Sequence, residues 1–356
     1  MKKILYVASN MQHINNFHLP YIERLREEGN TVLVMAGGEG ADFDIPFVKS
    51  TFSLKNLLNQ IKIRKIVKAE GFDSIILNTT LAAFHVRMAV PKKKRPRVLN
   101  IVHGYLFHEN GRGVKKRIYL LSEKLLRKKT DMIALMNAED VRIAEKNSLT
   151  FGKIVNTFGM GARVAEEKSS PESIRKFTGT EDSYLLGFVG ELSERKNQRF
   201  LICALPEIKI FAPKASLMLV GAGAEEKSLR ALADRLGISD SVHFVGQKPN
   251  PCDYMRTFDL YVSASDIEGM PFNIIEAIGC GAPVLASMIK GHEDLIGEGV
   301  GELYERENMA DFISKVKAFY LGDISVKPES QRLTFEKYSF DKVFEQTYSV
   351  MKDFVK

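Results

Sequence analysis

Ser263-Ala-Ser-Asp-Ile-Glu-Gly-Met-Pro-Phe-Asn-Ile-Ile-Glu-Ala-Ile-Gly-Cys-Gly-Ala-Pro-Val-Leu-Ala-Ser287 changes its hydrophobic period within a few residues. It reads as a strand end, a loop broken by Gly269 and Pro271, a short helix around Ile274–Ile278, and a Gly-Cys-Gly-Ala-Pro turn into another strand. That succession predicts a βαβ unit. Two carboxylates, Glu268 and Glu276, bracket the loop. Two readings fit them. A helix start offers backbone N–H groups to an anion, with a carboxylate beside it for a sugar or ribose hydroxyl. Alternatively, this is a surface loop with a helix-capping Glu.

The same rhythm extends in both directions. Strands are predicted at Ile4–Ala8, Thr31–Ala36, Ser74–Leu77, Val98–Val102 and Met132–Met136. Helices are predicted between them at Phe17–Glu28, Leu54–Glu70, Ala82–Ala89, Gly113–Lys129 and Ala138–Lys146. The pattern breaks around Gly159–Gly161, and residues 164–183 are rich in Glu, Lys, Ser and Pro. The alternation then resumes with strands at Tyr184–Val189, Ser216–Val220, Val242–Val245, Leu260–Ser263 and Val284–Ala286. Such alternation predicts an α/β chain of two Rossmann-like domains, each a mostly parallel sheet covered by helices. We place them at residues 1–165 and 166–337, with a terminal helix in 338–356 packing back toward the first domain. Ligands of open α/β sheets bind at the carboxyl ends of the strands, so the expected site is the cleft between two facing domains.

At 356 residues, two domains are also the expectation from size. The net charge of +7 is uneven. Residues 1–165 carry 28 Lys and Arg against 14 Asp and Glu, whereas residues 166–356 carry 23 against 30. A basic first half implies an anionic partner there. Lys115, Lys116, Arg117, Lys124, Arg127, Lys128 and Lys129 interleave with Ile118, Tyr119, Leu120, Leu121, Leu125 and Leu126. This suits a helix lying on an anionic membrane surface, or a sheet-covering helix with a solvated basic face. A nucleic-acid partner is disfavoured, because no zinc finger or RNA-binding aromatic signature accompanies the charge. Cys203, Cys252 and Cys280 are too scattered for a disulfide framework and suit a reducing cytoplasm. No run of 18 apolar residues is present, which predicts no transmembrane helix. No P-loop and no well-placed Gly-x-Gly-x-x-Gly occurs, which disfavours a P-loop ATPase or an ordinary dehydrogenase. No His, Cys or Asp group has metal-site spacing, so a metal-independent site is expected.

Glu268 and Glu276, followed by Gly-Cys-Gly-Ala-Pro-Val, resemble the Glu-x7-Glu motif of retaining glycosyltransferases of the GT-B fold. The chain is similar to glycosyltransferase family 4, and within it to bacterial exopolysaccharide and capsule members. Several further segments carry the resemblance: His13-Ile-Asn-Asn-Phe-His-Leu-Pro20, His103-Gly-Tyr-Leu-Phe107, Gly190-Glu-Leu-Ser-Glu-Arg-Lys-Asn197, Gly221-Ala-Gly223 and Gly291-His-Glu-Asp-Leu-Ile296.

This resemblance implies roles. Glu276 holds the ribose hydroxyls of a nucleotide and Glu268 contacts hydroxyls of the donor sugar. Backbone N–H groups near Phe272 and Asn273 meet the diphosphate, and Lys196 neutralises it as it leaves. Gly190, Gly221 and Gly246 complete the nucleotide side. His103 orients the reacting centre, and His13, Asn16 and Gly104 lie on the acceptor side. Glu191 stands where the family usually has Arg, so Arg195 is the expected substitute. The implied donor is a nucleotide sugar, UDP-linked, with no other cofactor and no metal. The implied acceptor is an undecaprenyl-diphosphate-linked glycan or a similar molecule, met by a cytoplasmic protein at the inner face of the cell membrane. Two other readings stand beside transfer: an epimerase resembling those that act on UDP-N-acetylglucosamine, and a non-catalytic scaffold of a glycan assembly complex.

Overall fold

The computed structural model describes residues 1–48, 50, 53–91, 93–111 and 113–356, with the backbone alone for Lys115. Lys92, the first residue of the basic run ending at Arg97, and the Lys115 side chain therefore lie outside the described residues. The chain divides into two compact units. One comprises Met1–Met160 and Val343–Lys356, the other Gly161–Lys342.

The first unit is built on a seven-stranded sheet: β1 Lys3–Asn10, β2 Thr31–Gly37, β3 Phe43–Asp44, β4 Ser74–Leu77, β5 Arg97–Val102, β6 Met132–Leu135 and β7 Lys153–Asn156. The order is β3-β2-β1-β4-β5-β6-β7, and every pairing is parallel. The second unit holds a six-stranded parallel sheet of β8 Tyr184–Val189, β9 Ala215–Val220, β10 Val242–Gly246, β11 Leu260–Ser263, β12 Val284–Ser287 and β13 Gly301–Tyr304. Its order is β10-β9-β8-β11-β12-β13. Ile4–Ala8, Ile75–Leu77 and Ala215–Val220 are almost wholly inaccessible, as continuous apolar runs must be when helices cover both faces. In both sheets the strand order reverses beside the first strand. The two switch points therefore lie at β1/β4 and β8/β11, where doubly wound sheets take ligands.

Differences from the predicted elements concentrate at polar stretches. The segment after β1, read as a loop, forms helix α1, Met11–Phe17, followed by α2, Leu19–Glu27. Asn10 caps α1 by accepting the His13 N–H at 2.8 Å. Polarity concealed this helix, since Ile14 is its single buried residue. A helix at Pro171–Thr178, capped by Ser170, occupies the segment read as a domain boundary, and the short edge strands β3, β7 and β13 carry too little alternation to be seen.

Two helices of the first unit present an unusual face. In α3, Leu54–Glu70, the buried positions of the first half are Asn56 and Asn59. Asn56 holds the Val48 and Ser50 carbonyls, and Asn59 the Pro46 carbonyl. Leu54, Leu57, Leu58 and Ile61 point outward, each at least 45 % exposed. In α5, Val114–Leu126, the exposed stripe is Val114, Ile118, Leu121 and Leu125. These positions recur at helical spacing, the pattern of a buried face turned to solvent. Helix α4, Thr80–Ala89, packs against both. Its buried Arg87 forms a two-pronged ion pair with Glu123 of α5 at 2.7 and 2.8 Å, which fixes the rotation of α5. The C-terminal helix Phe340–Val355 closes the first unit from Val343 on, through Tyr21 on Phe344 and Lys352 on Glu28. No helix among the described residues is long and apolar enough to cross a membrane.

Candidate active site

The β8/β11 switch point of the second unit assembles a charged cluster. Strand β8 ends at Val189, and the loop behind it is held by Gln198, which donates to the Glu191 carbonyl at 2.8 Å. This places Arg195 and Lys196 against the loop that follows β11. Lys196 Nζ lies 2.6 Å from Glu268 Oε1, and the Arg195 guanidinium lies 2.9 Å from Glu268 Oε2. Lys196 and Glu268 are buried, while Arg195 reaches in from the surface. Burial works to raise the Glu268 carboxyl, but the two cations outweigh it and hold the group below its usual range. Burial also lowers the Lys196 ammonium, opposed by Glu268. The ammonium has three donors and this pair uses one, which leaves others for a second anion.

Glu276 is in the opposite condition. It lies on the helix Phe272–Gly279, half-buried, and the described residues give its carboxylate no cationic partner. Burial, with a smaller electrostatic contribution from Cys252, pushes its carboxyl up to about 7. Such a group gains when hydroxyl donors arrive. At the start of the helix, Ile274 and Ile275 both turn their N–H groups back on the Pro271 carbonyl, at 3.2 and 3.3 Å. Phe272 and Asn273 occupy the first turn of this helix, whose N–H groups face away from its body. The Asn273 side chain braces the neighbouring turn by donating to the Val189 carbonyl at 2.7 Å.

Beside this helix start, the ends of β8, β9 and β10 come together. Gly190 N–H donates to Val220 O and Gly221 N–H to Gly246 O, both at 2.9 Å. A Cβ on Gly221 would lie 1.9 Å from the Gly190 carbonyl oxygen, so only glycine permits this approach. The result is a cavity of about 390 Å³ lined by Gly190, Glu191, Gly221, Gln247, Lys248 and their neighbours. His292, which the sequence reading did not single out, is wholly buried behind the cluster. Its Nδ1–H donates to the Ser287 carbonyl at 2.7 Å, and burial holds its pKa at about 4. The Gly291-His-Glu-Asp segment was the available signal.

In the first unit, His13, His103 and Gly104 gather at the β1/β4 switch point and the end of β5. The His13 and His103 rings stand 5.3 Å apart, edge to face. His103 Nε2 faces Asn78 Oδ1 at 3.5 Å, and Gly104 takes φ +118° to turn the chain away. Asn16 is exposed on α1 and joins none of these contacts. Buried His18 completes a group of three histidines whose ligating atoms all lie within 4.8 Å of one another. The absence of a metal-like cluster holds only along the chain. The fold makes one from segments some ninety residues apart, which no spacing rule detects.

Residues 169–337 match the family described as Glycosyl transferases group 1. The chain is 29% identical over 335 residues to a putative glycosyltransferase, EpsD, of Bacillus subtilis (strain 168), covering 90% of this chain and 87% of that protein. It is 25% identical over 283 residues to an Escherichia coli UDP-Gal:alpha-D-GlcNAc-diphosphoundecaprenol alpha-1,3-galactosyltransferase, covering 76% and 73%. Among solved structures, the Anabaena protein HepE, crystallised with UDP and glucose, superposes with a TM-score of 0.75 at 18% identity, covering 99% of this chain and all of that one. This likeness shows the fold, which is GT-B.

Proposed function

We propose that the protein is a retaining glycosyltransferase. It moves a hexosyl or N-acetylhexosaminyl unit from a UDP-sugar onto a lipid-linked or glycan acceptor in bacterial surface polysaccharide synthesis. The observation that carries this reading is the contrast between two carboxylates eight residues apart. Glu268 is clamped by Lys196 and Arg195, whereas Glu276 stands half-buried without a cation. In this assignment Glu276 accepts hydrogen bonds from the ribose hydroxyls, and the cavity lined by Gly190 and Gly221, beside Gly246, takes the base. The N–H groups at Phe272 and Asn273 approach the diphosphate.

Departure of a nucleoside diphosphate builds positive charge on the sugar and negative charge on the leaving phosphate. Lys196 and the helix start offset the latter without rearranging, the arrangement that lowers such barriers most. Arg195, already on Glu268, supplies the second cation that Glu191 does not. The family this chain resembles is thought to react without a separate carboxylate nucleophile for a double displacement. The proposal is therefore same-face attack assisted by the leaving phosphate. Acceptor recognition falls to His13, Asn16 and Gly104 of the first unit, with His103 orienting the reacting centre. Support for the donor and acceptor classes comes from the relatives, whose names specify UDP-galactose and a diphosphoundecaprenol acceptor in one case and UDP in the other.

The outward leucines of α3 and α5, flanked by Lys55, Lys62, Arg117 and Lys124, support peripheral docking on an anionic membrane at the cytoplasmic face. A lipid-linked acceptor is delivered by such a surface.

The test is nucleoside diphosphate release from a panel of UDP-, GDP- and ADP-sugars, with and without an undecaprenyl-diphosphate-linked glycan. Acceptor-dependent UDP release that disappears in Glu276→Ala and Lys196→Ala supports transfer, and an axial product linkage supports retention. Sugar isomerisation without acceptor would replace this reading with the epimerase. Tight UDP binding with no turnover on any acceptor would replace it with the scaffold.

A further inference from the structure

The three histidines of the first unit are more than neighbours. His13 and His18 ring centroids lie 4.9 Å apart, His13 and His103 5.3 Å, and His18 and His103 5.7 Å. His18 is 1 % exposed, and its Nε2 has no hydrogen-bond partner; the buried Nε2 of His13 has none either. Unmatched buried nitrogens on two adjacent rings are costly unless something arrives to satisfy both.

The surroundings fix how the rings point. Tyr6 Oη lies 3.0 Å from His18 Nδ1, and Asn78 Oδ1 lies 3.5 Å from His103 Nε2. Asn78 donates its own amide to the Val7 carbonyl at 3.3 Å, which keeps its oxygen toward His103. With His18 Nδ1–H donating to Tyr6 and His103 Nε2–H donating to Asn78, the remaining lone pairs are His18 Nε2 and His103 Nδ1. His13 Nε2 supplies the third. Each outer hydrogen bond is of the kind that orients metal-bound histidines. Neutral imidazole is the form that ligates a metal ion.

We propose that His13, His18 and His103 form a binding site for one divalent transition-metal ion of borderline softness, with Zn²⁺ as its type. Three imidazoles and no carboxylate suit Zn²⁺, Co²⁺ or Ni²⁺ and disfavour Mg²⁺ and Ca²⁺. Zinc–nitrogen bonds of about 2.1 Å at tetrahedral angles hold ligand atoms roughly 3.4 Å apart. One ligating nitrogen from each ring already lies within 4.8 Å of the other two, and small rotations of the three side chains close them to that spacing. A fourth position stays open for water or an anionic ligand. Occupancy would tie α1, the start of α2 and the end of β5 together. The inference does not depend on the transfer reaction.

The full chain, stripped with chelator, is titrated with Zn²⁺ against a chromophoric competitor and with Co²⁺ by its visible ligand-field bands. One ion per chain, a tetrahedral Co²⁺ spectrum and a raised thermal midpoint are expected. His13→Ala, which removes a half-exposed ring, should weaken binding by about tenfold or more with an unchanged circular dichroism spectrum. Cys252→Ser should leave binding intact. Affinity no tighter than millimolar, equal affinity in wild type and His13→Ala, or loss of the ion in Cys252→Ser would each overturn the site.

Discussion

Replacing Glu276 by Gln should make the protein more stable and less able to bind nucleotide, with both effects tied to one proton. Burial, and secondarily Cys252, raise the folded carboxyl from the usual 4.5 to about 7. The native state therefore binds this proton more tightly than the unfolded chain does. The stability it contributes is complete below pH 4.5, declines between 4.5 and 7, and is gone above. The span from 4.5 to about 7, at 1.36 kcal/mol per pH unit, sets a ceiling of about 3 kcal/mol, of which a half-buried group realises roughly 2–3. Gln cannot ionise and escapes that loss. Urea unfolding followed by far-UV circular dichroism, since the chain has no Trp, should show Glu276→Gln above wild type by that amount at pH 8 and equal to it near pH 4.5. Calorimetric titration with UDP at pH 8 should show the reverse order. Hydrogen bonds to a charged acceptor contribute about 1.5–3 kcal/mol, so the variant should bind on the order of 10- to 100-fold more weakly. Wild-type affinity should fall more steeply than the variant's as pH drops below 7, because the ligand's own phosphate titration at about pH 6 acts on both. A variant that is destabilised at pH 8, or that binds UDP as wild type does, refutes the assignment of Glu276 as a ligand carboxylate.

Lys196→Ala leaves Glu268 buried with Arg195 alone. Breaking a buried pair costs about 3–5 kcal/mol, and the retained Arg195 contact reduces this to roughly 2–3 at pH 7. Because the cations depress the folded Glu268 carboxyl, their contribution is present above pH 4.5 and lost as pH falls through the folded value. The deficit should therefore shrink in acid, as measured by unfolding at pH 3.5 and pH 7. Gly221→Ala sets a Cβ 1.9 Å from the Gly190 carbonyl at a φ of +145°. It should lower stability by about 2–4 kcal/mol, read as a fall in thermal midpoint, and UDP added in excess should recover only part of it. Leu57→Glu with Leu121→Glu alters two outward residues and should change stability by no more than about 0.5 kcal/mol each. The same pair should abolish co-sedimentation with vesicles containing anionic phospholipid. Retained sedimentation would show that these leucines meet something other than lipid.

The sequence by itself determined the two-fold α/β rhythm. Parallel strands covered on both faces must be short continuous apolar runs, and runs such as Ile4–Ala8 and Leu217–Val220 are visible without coordinates. It also displayed Glu268 and Glu276 as paired carboxylates on one local loop and helix, whereas Lys196, in a polar run, stood out only through the resemblance to a known family. The element after β1 was not legible, since a helix that buries only Ile14 has no apolar stripe to read. Nor was the outward face of α3, where period alone assigns the leucines to the core and the asparagines to water. Asn56 and Asn59 reverse this by satisfying the carbonyls of the preceding loop. Only the tertiary structure decided that Glu268 is clamped while Glu276 is bare, because a carboxylate's charge state depends on what burial places beside it. The same holds for His13, His18 and His103. Two of them share one helical segment, but the third arrives just after β5, and strand order in a parallel sheet is a property of the whole fold rather than of any stretch of chain.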